Sequence, residues 1–191
     1  STKIGETTYD DGFLERYNTS YESIEVCEGK YKGLRCNEDI FKELRQEAPH
    51  TLTVGHVMRD EEVDRAIGHP NVLIASDGIL HRNQGHPRAA GTFPRLINEY
   101  VKKKKILTLY QAVEKMTYLP AKRFGINKGT LSLGADADIT IFDYDLIKDK
   151  SSFREPILEP DGIKFVLLSG EIVLKDNVIL NNSVGKFVSK S

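Results

Sequence analysis

Residues 71–95, NVLIASDGILHRNQGHPRAAGTFPR, decide how the rest of the chain is read. A short apolar run, Val72-Leu73-Ile74-Ala75, stops at Ser76-Asp77-Gly78. A long polar stretch carrying His81, Arg82, His86 and Arg88 follows. An apolar run of this length suits a strand covered on both faces, as in a parallel sheet. A carboxylate at the carboxyl end of such a strand stands where an α/β barrel places its catalytic groups. Asp-Gly is also a common turn dipeptide, so Asp77 has a second, purely architectural reading.

The flanking pattern favours the α/β class. Asn37 is placed to cap a helix whose apolar positions, Ile40, Phe41 and Leu44, follow 3–4 spacing, and Pro49 marks its end. Thr51–Val54 is short and β-prone. Asp60 caps Glu61–Ile67, whose early acids suit the helix dipole, and Gly68 and Pro70 close it. Residues 37–76 thus predict helix, strand, helix, strand, the grammar of a parallel sheet. Two strands cannot close a barrel, which needs eight, so the chain is expected to be part of a larger α/β domain. Residues 1–36 lack a clean period and read as loop with short elements.

Downstream, Phe93–Lys104 reads as a helix ending in the basic cluster Lys102–Lys105, where dipole compensation and solvation explain the charge. Thr108 caps a helix through Met116 with Leu109, Ala112, Val113 and Met116 as its buried stripe. Pro120 opens another, which ends at Gly125. Beyond that point the grammar changes. Ile139–Phe142, Phe165–Leu168, Glu171–Leu174 and Val178–Leu180 are short strands. Ser169-Gly170 and Lys175-Asp176-Asn177 are the reversals that predict an antiparallel sheet. The boundary falls near residue 126, giving regions 1–125 and 126–191.

Composition narrows the function classes. The 191 residues are 39% hydrophobic and 29% charged, with a net charge of −1. No basic field gathers nucleic acid or an anionic membrane. No run reaches the roughly 18 apolar residues that span a bilayer. The opening residues lack a basic region followed by an apolar one, so a cytoplasmic protein with reduced Cys27 and Cys36 is expected. Neither cysteine has zinc-knuckle spacing.

Five stretches then agree with one family: Ser76-Asp77-Gly78; Gly85-His86-Pro87-Arg88; Gly91-Thr92-Phe93-Pro94-Arg95; Met116–Ala121 with Phe124-Gly125; and Lys128-Gly129-Thr130 through Gly134–Ile139. The chain resembles the N-acyl-D-amino-acid deacylases (D-aminoacylases) of the amidohydrolase superfamily, from about residue 37 to residue 180. The last stretch is a mark of the whole superfamily. His-Pro-Arg with Gly-Thr-Phe-Pro-Arg is more specific to this branch.

The resemblance implies a longer enzyme with a (β/α)8 barrel, a zinc centre and a small β-sandwich. This chain would supply the last barrel strands and helices and the C-terminal strands of the sandwich, as an incomplete barrel. It implies that Asp77 carries the proton between water and leaving amine, and that Arg88 holds the substrate's α-carboxylate. A guanidinium fork suits that task better than an ammonium. It places the zinc-binding histidines and cysteine on earlier strands, so Asp77 is the one candidate ligand here. The isolated chain is expected to hold no zinc and to be inactive. His81 and His86, five apart beside an acid, do not match family ligands. His86 is assigned to shaping the loop, Arg95 to structure, and His56 to no role.

The expected partner is a small N-acyl-D-amino acid, without nucleic acid or membrane. Association with the missing barrel portion, or with itself, would cover an exposed edge. The competing reading is a degenerate or split amidohydrolase half that serves as a non-catalytic binding or assembly module. A cyclic-amide hydrolase is a nearer alternative, against which the His-Pro-Arg loop argues.

Overall fold

The computed structural model describes residues 2–78, 80–81 and 84–188, without the side chains of His81 and Gln84. Arg82 and the His81 side chain, both part of the polar stretch, lie outside the described residues. In chain order the elements are β1 (Thr2–Lys3), α1 (Phe13–Arg16), β2 (Ile24–Val26), α2 (Glu38–Glu47), β3 (Leu52–Gly55), α3 (Asp60–Gly68), β4 (Leu80–His81), β5 (Gln84–Gly85) and α4 (Arg88–Arg95). A π-helix (Leu96–Lys103) follows, then α5 (Leu109–Met116), α6 (Tyr118–Phe124), β6 (Ile139–Phe142), β7 (Ile163–Leu168), β8 (Glu171–Lys175) and β9 (Val178–Ile179).

Two compact units interleave along the chain. The first comprises 1–60, 77–90 and 151–158; the second comprises 61–76, 91–150 and 159–191. Compactness therefore divides the chain otherwise than the change of pattern near residue 126.

In the first unit, β3 lies between β1 and β2 and pairs antiparallel with both. Ile4, Tyr9, Phe13, Ile24, Val26, Cys36 and Leu44 form its main core. Thr53 is fully buried because its hydroxyl has two partners, the carbonyl oxygen of Thr2 at 2.9 Å and the Tyr9 hydroxyl at 3.1 Å. Burial pushes the Tyr9 phenol up to about 12. The predicted cap is present: Asn37 Oδ1 accepts the Ile40 amide at 2.8 Å. Replacing Asn37 by Ala removes that acceptor, and urea denaturation is expected to show a loss of about 1 kcal/mol.

In the second unit, Leu96, Tyr100, Val101, Leu107 and Ala112 form the core, with Val63, Ile67 and Ile74 packed on it. Thr108 and Gln111 make a reciprocal capping box at the start of α5, and Gly125 ends α6 in the left-handed conformation, φ 68°. Three of the four clustered lysines have partners within the unit. Lys102 reaches the carbonyl oxygens of Asp145 and Ile147, Lys103 pairs with Glu99, and Lys104 pairs with Asp64. The second sheet runs β6-β7-β8-β9, all antiparallel. Its hairpins turn at Ser169-Gly170 and Asp176-Asn177, all four with positive φ, as the predicted reversals require.

Three expectations are corrected. Among the described residues every ladder is antiparallel, so the parallel pair expected of Thr51–Val54 and Val72–Ser76 is not formed. Apolar content reports burial and carries no information on the direction of the neighbouring strand.

Val72–Ser76 belongs to no strand, and Ile74 donates instead to the Lys115 carbonyl at 3.2 Å. Lys115 is buried, and its ammonium donates to the carbonyl oxygens of His69 and Val72, which tie this segment to α5. Finally, the helix expected from Phe93 begins at Arg88 and continues past Pro94 as the π-helix. Pro94 has no amide hydrogen to donate, and the wider register follows directly after it, as in the Lys104 amide donating to Glu99 at 2.8 Å.

Candidate functional site

Asp77 and Arg88 both belong to the first unit, joined by the β4–β5 hairpin, whose register pairs Leu80 with Gly85. Gly78 lets the two ends of this segment meet. A Cβ there would stand 2.6 Å from the Ala89 backbone nitrogen and 2.8 Å from its Cα, closer than carbon atoms pack. The turn after Asp77 is thus pressed against the first turn of α4. Any side chain at position 78 would push it away.

Arg88 is the first residue of α4 and not a loop residue, a correction to the sequence expectation. The carbonyl oxygens of His86 and Pro87 accept the Ala89 and Ala90 amides at 3.1 and 3.2 Å, which starts the helix. Ala89-Ala90-Gly91 carries no apolar period, so sequence pattern does not reveal this turn. One guanidinium nitrogen, Nη2, stands 3.8 Å from Asp77 Oδ2. The two side chains are 42% and 85% exposed, so the pair contributes little to stability. Its chemical content is a carboxylate beside a cationic fork, both reached by solvent.

His86 has the loop-shaping geometry. Its Nδ1 accepts the Arg88 backbone N–H at 3.1 Å, which leaves the ring proton of the neutral form on Nε2. Burial, and after it the Arg88 charge, pull the imidazole down to about 3 from the ordinary 6.5. Lowered in the folded state, this group binds its proton more readily in the unfolded chain. Its contribution to stability is therefore present above 6.5 and lost as the pH falls toward 3. The urea midpoint is expected to fall over that interval, and to fall less in His86→Gln.

His56 follows β3, and its Nε2 donates to Glu25 Oε2 at 3.0 Å. Burial and then the Arg35 guanidinium lower its pKa, with Glu25 opposing. Phe153 lies against both imidazoles, with ring centroids 4.8 Å from His56 and 5.0 Å from His86. Neither Glu25 nor Phe153 carries a local sequence signal. Arg95 has a structural partner, Asp149, at 3.3 Å.

These donors do not make a closed metal site. Among the described residues no group of three or more His, Cys, Asp or Glu side chains could hold an ion. Cys27 and Cys36 are free thiols pushed up to about 11 by burial, far from the thiolate a metal needs. His86 Nδ1 and His56 Nε2 are engaged as described. Among the described residues Asp77 therefore lacks the companions that would complete the roughly three ligands a catalytic zinc needs.

The sequence profile of the Amidohydrolase family matches residues 39–174. An N-acyl-D-glutamate deacylase of Alcaligenes xylosoxydans xylosoxydans is 40% identical over 114 residues, 59% of this chain and 23% of that protein. A dihydroorotase of Pelotomaculum thermopropionicum is 42% identical over 86 residues, 39% of this chain and 20% of that protein.

Among solved structures, an N-acyl-D-glutamate deacylase of Bordetella bronchiseptica, in complex with zinc and a phosphonate inhibitor, is similar with a TM-score of 0.73 and 33% identity. The match covers 83% of this chain and 36% of that one. A D-aminoacylase structure is similar with a TM-score of 0.78 and 28% identity, over 85% and 36% of the two chains. The chain spans about a quarter of the length of the curated relatives it matches. No helix among the described residues is long and apolar enough to cross a membrane.

Proposed function

The chain belongs to the amidohydrolase family, and from that footing we propose that it is the C-terminal part of a hydrolase that removes the acyl group from N-acyl-D-amino acids. The observation that carries this reading is the pairing of Asp77 and Arg88, 3.8 Å apart on one segment, in a chain similar to N-acyl-D-glutamate deacylases. In the reaction, water adds to the amide carbonyl, the C–N bond breaks, and the proton from water ends on the leaving amine. Asp77, at 85% exposure, is open to solvent and substrate and can take that proton and return it within one turnover. Arg88 holds the α-carboxylate and so sets the reacting amide at a fixed distance from Asp77.

The Bordetella relative holds zinc, and we place the ligands of any such ion outside the residues described here. The 191-residue chain alone is accordingly proposed to be inactive and to bind zinc no more tightly than micromolar. Elemental analysis finding stoichiometric, tightly bound zinc in this chain would overturn that assignment.

The decisive experiment expresses the complete protein and compares N-acetyl-D-glutamate, its L enantiomer and a cyclic amide as substrates. Release of free D-amino acid alone supports the reading. Turnover of the cyclic amide alone would move the protein to the side of its dihydroorotase relatives. No turnover of any of them would favour the binding-module reading.

A further inference from the structure

Phe153 lies 67 positions beyond His86 in the sequence, yet the segment 151–158 belongs to the first unit. Its ring meets His56 and His86 at interplanar angles of 72° and 79°, near-perpendicular contacts of the kind aromatic rings favour. It also packs against the buried Cys27, Leu52 and Val54. Two residues earlier, Ser151 Oγ donates to the Pro87 carbonyl at 3.0 Å. A chain of contacts therefore runs from β3 through Phe153 to His86, and from His86 Nδ1 to the Arg88 amide.

We propose that Phe153, assisted by Ser151, is a positioning residue that fixes where the Arg88 guanidinium stands and so sets the affinity for the substrate carboxylate. This rests on the reading of Arg88 given above. Phe153 acts through His86. A side chain that merely filled the core would influence folding without singling out carboxylate binding.

The test is made in the complete enzyme. Phe153→Leu keeps an apolar side chain but removes the wall shared by the two imidazoles. KM for the N-acyl-D-amino acid is expected to rise about tenfold, with kcat changed less than about threefold, because carboxylate binding precedes the chemistry. Phe153→Tyr, which retains the ring, is expected to stay near wild type. The His86 ring signal, followed by NMR with labelled histidine, is expected to titrate well above 3 in Phe153→Leu, since burial is the main cause holding it down.

Ser151→Ala removes only the bond to Pro87 and is expected to raise KM in the same direction, so it decides the matter if Phe153→Leu fails to fold. Unchanged KM in the folded variants, or a His86 midpoint unmoved by Phe153→Leu, overturns the proposal. If the wild type releases no D-amino acid, the reading of Arg88 falls. The His86 titration still decides whether Phe153 controls the loop.

Discussion

Asp77→Asn in the complete enzyme is expected to lower kcat by roughly 10²–10⁴, the range contributed by a positioned proton carrier. The amide side chain has nearly the same shape and cannot accept the proton, so KM should move much less. Asp77 is exposed, and its turn depends on the close approach of Gly78 to Ala89. The substitution should therefore leave folding intact, and a thermal melt of the variant should overlay that of the wild type. Wild-type kcat in Asp77→Asn would reduce Asp77 to a turn residue.

A second large effect is expected at Arg88. Arg88→Ala removes the charge, and Arg88→Lys keeps it without the two-pronged geometry. Loss of a charge-assisted contact should cost about 2–4 kcal/mol of transition-state binding, with part of the loss appearing in KM. The matching control is an N-acyl-D-amino amide, which has no carboxylate. It should be a poor substrate for the wild type and no poorer for Arg88→Ala. Equal sensitivity of acid and amide to Arg88→Ala would show that the arginine works through folding of the segment.

The features legible in sequence were those set by neighbours a few residues away. Asn37 and Thr108 cap their helices through bonds to residues three positions on, and Gly125 and Asp176-Asn177 adopt the left-handed conformations their turns demand. Each is decided by local backbone chemistry, so composition and spacing reveal it. What failed needed knowledge of partners. Val72–Ala75 has the composition of a strand but joins no ladder: the Val72 amide turns back to the His69 carbonyl, and the Ile74 amide goes to Lys115, 41 positions away.

The same distinction divides the site. Asp77 and Arg88 stand on one short segment within a recognisable pattern, so the sequence singled them out together. Glu25 reaches His56 across 31 positions, and Ser151 reaches Pro87 across 64. No periodicity links such pairs. The start of α4 was hidden for a different reason. Its first turn, Arg88-Ala89-Ala90-Gly91, lacks an apolar stripe, and Pro94 stands inside the helix as an apparent terminator.

The interleaving of the two units has a consequence for exchanging parts between such proteins. Because each unit is assembled from three separate stretches, no single crossover point delivers one unit whole from a donor. The stretch 77–90 is different in kind. It carries Asp77, the glycine that lets the turn close, His86 and Arg88 as one contiguous cassette, so a short transplant moves the proposed proton carrier and the proposed carboxylate clamp together. Such a graft would demand little at its own ends and much from far along the recipient chain. A host lacking an aromatic ring where Phe153 stands would inherit the chemical groups without the surface that holds them in register.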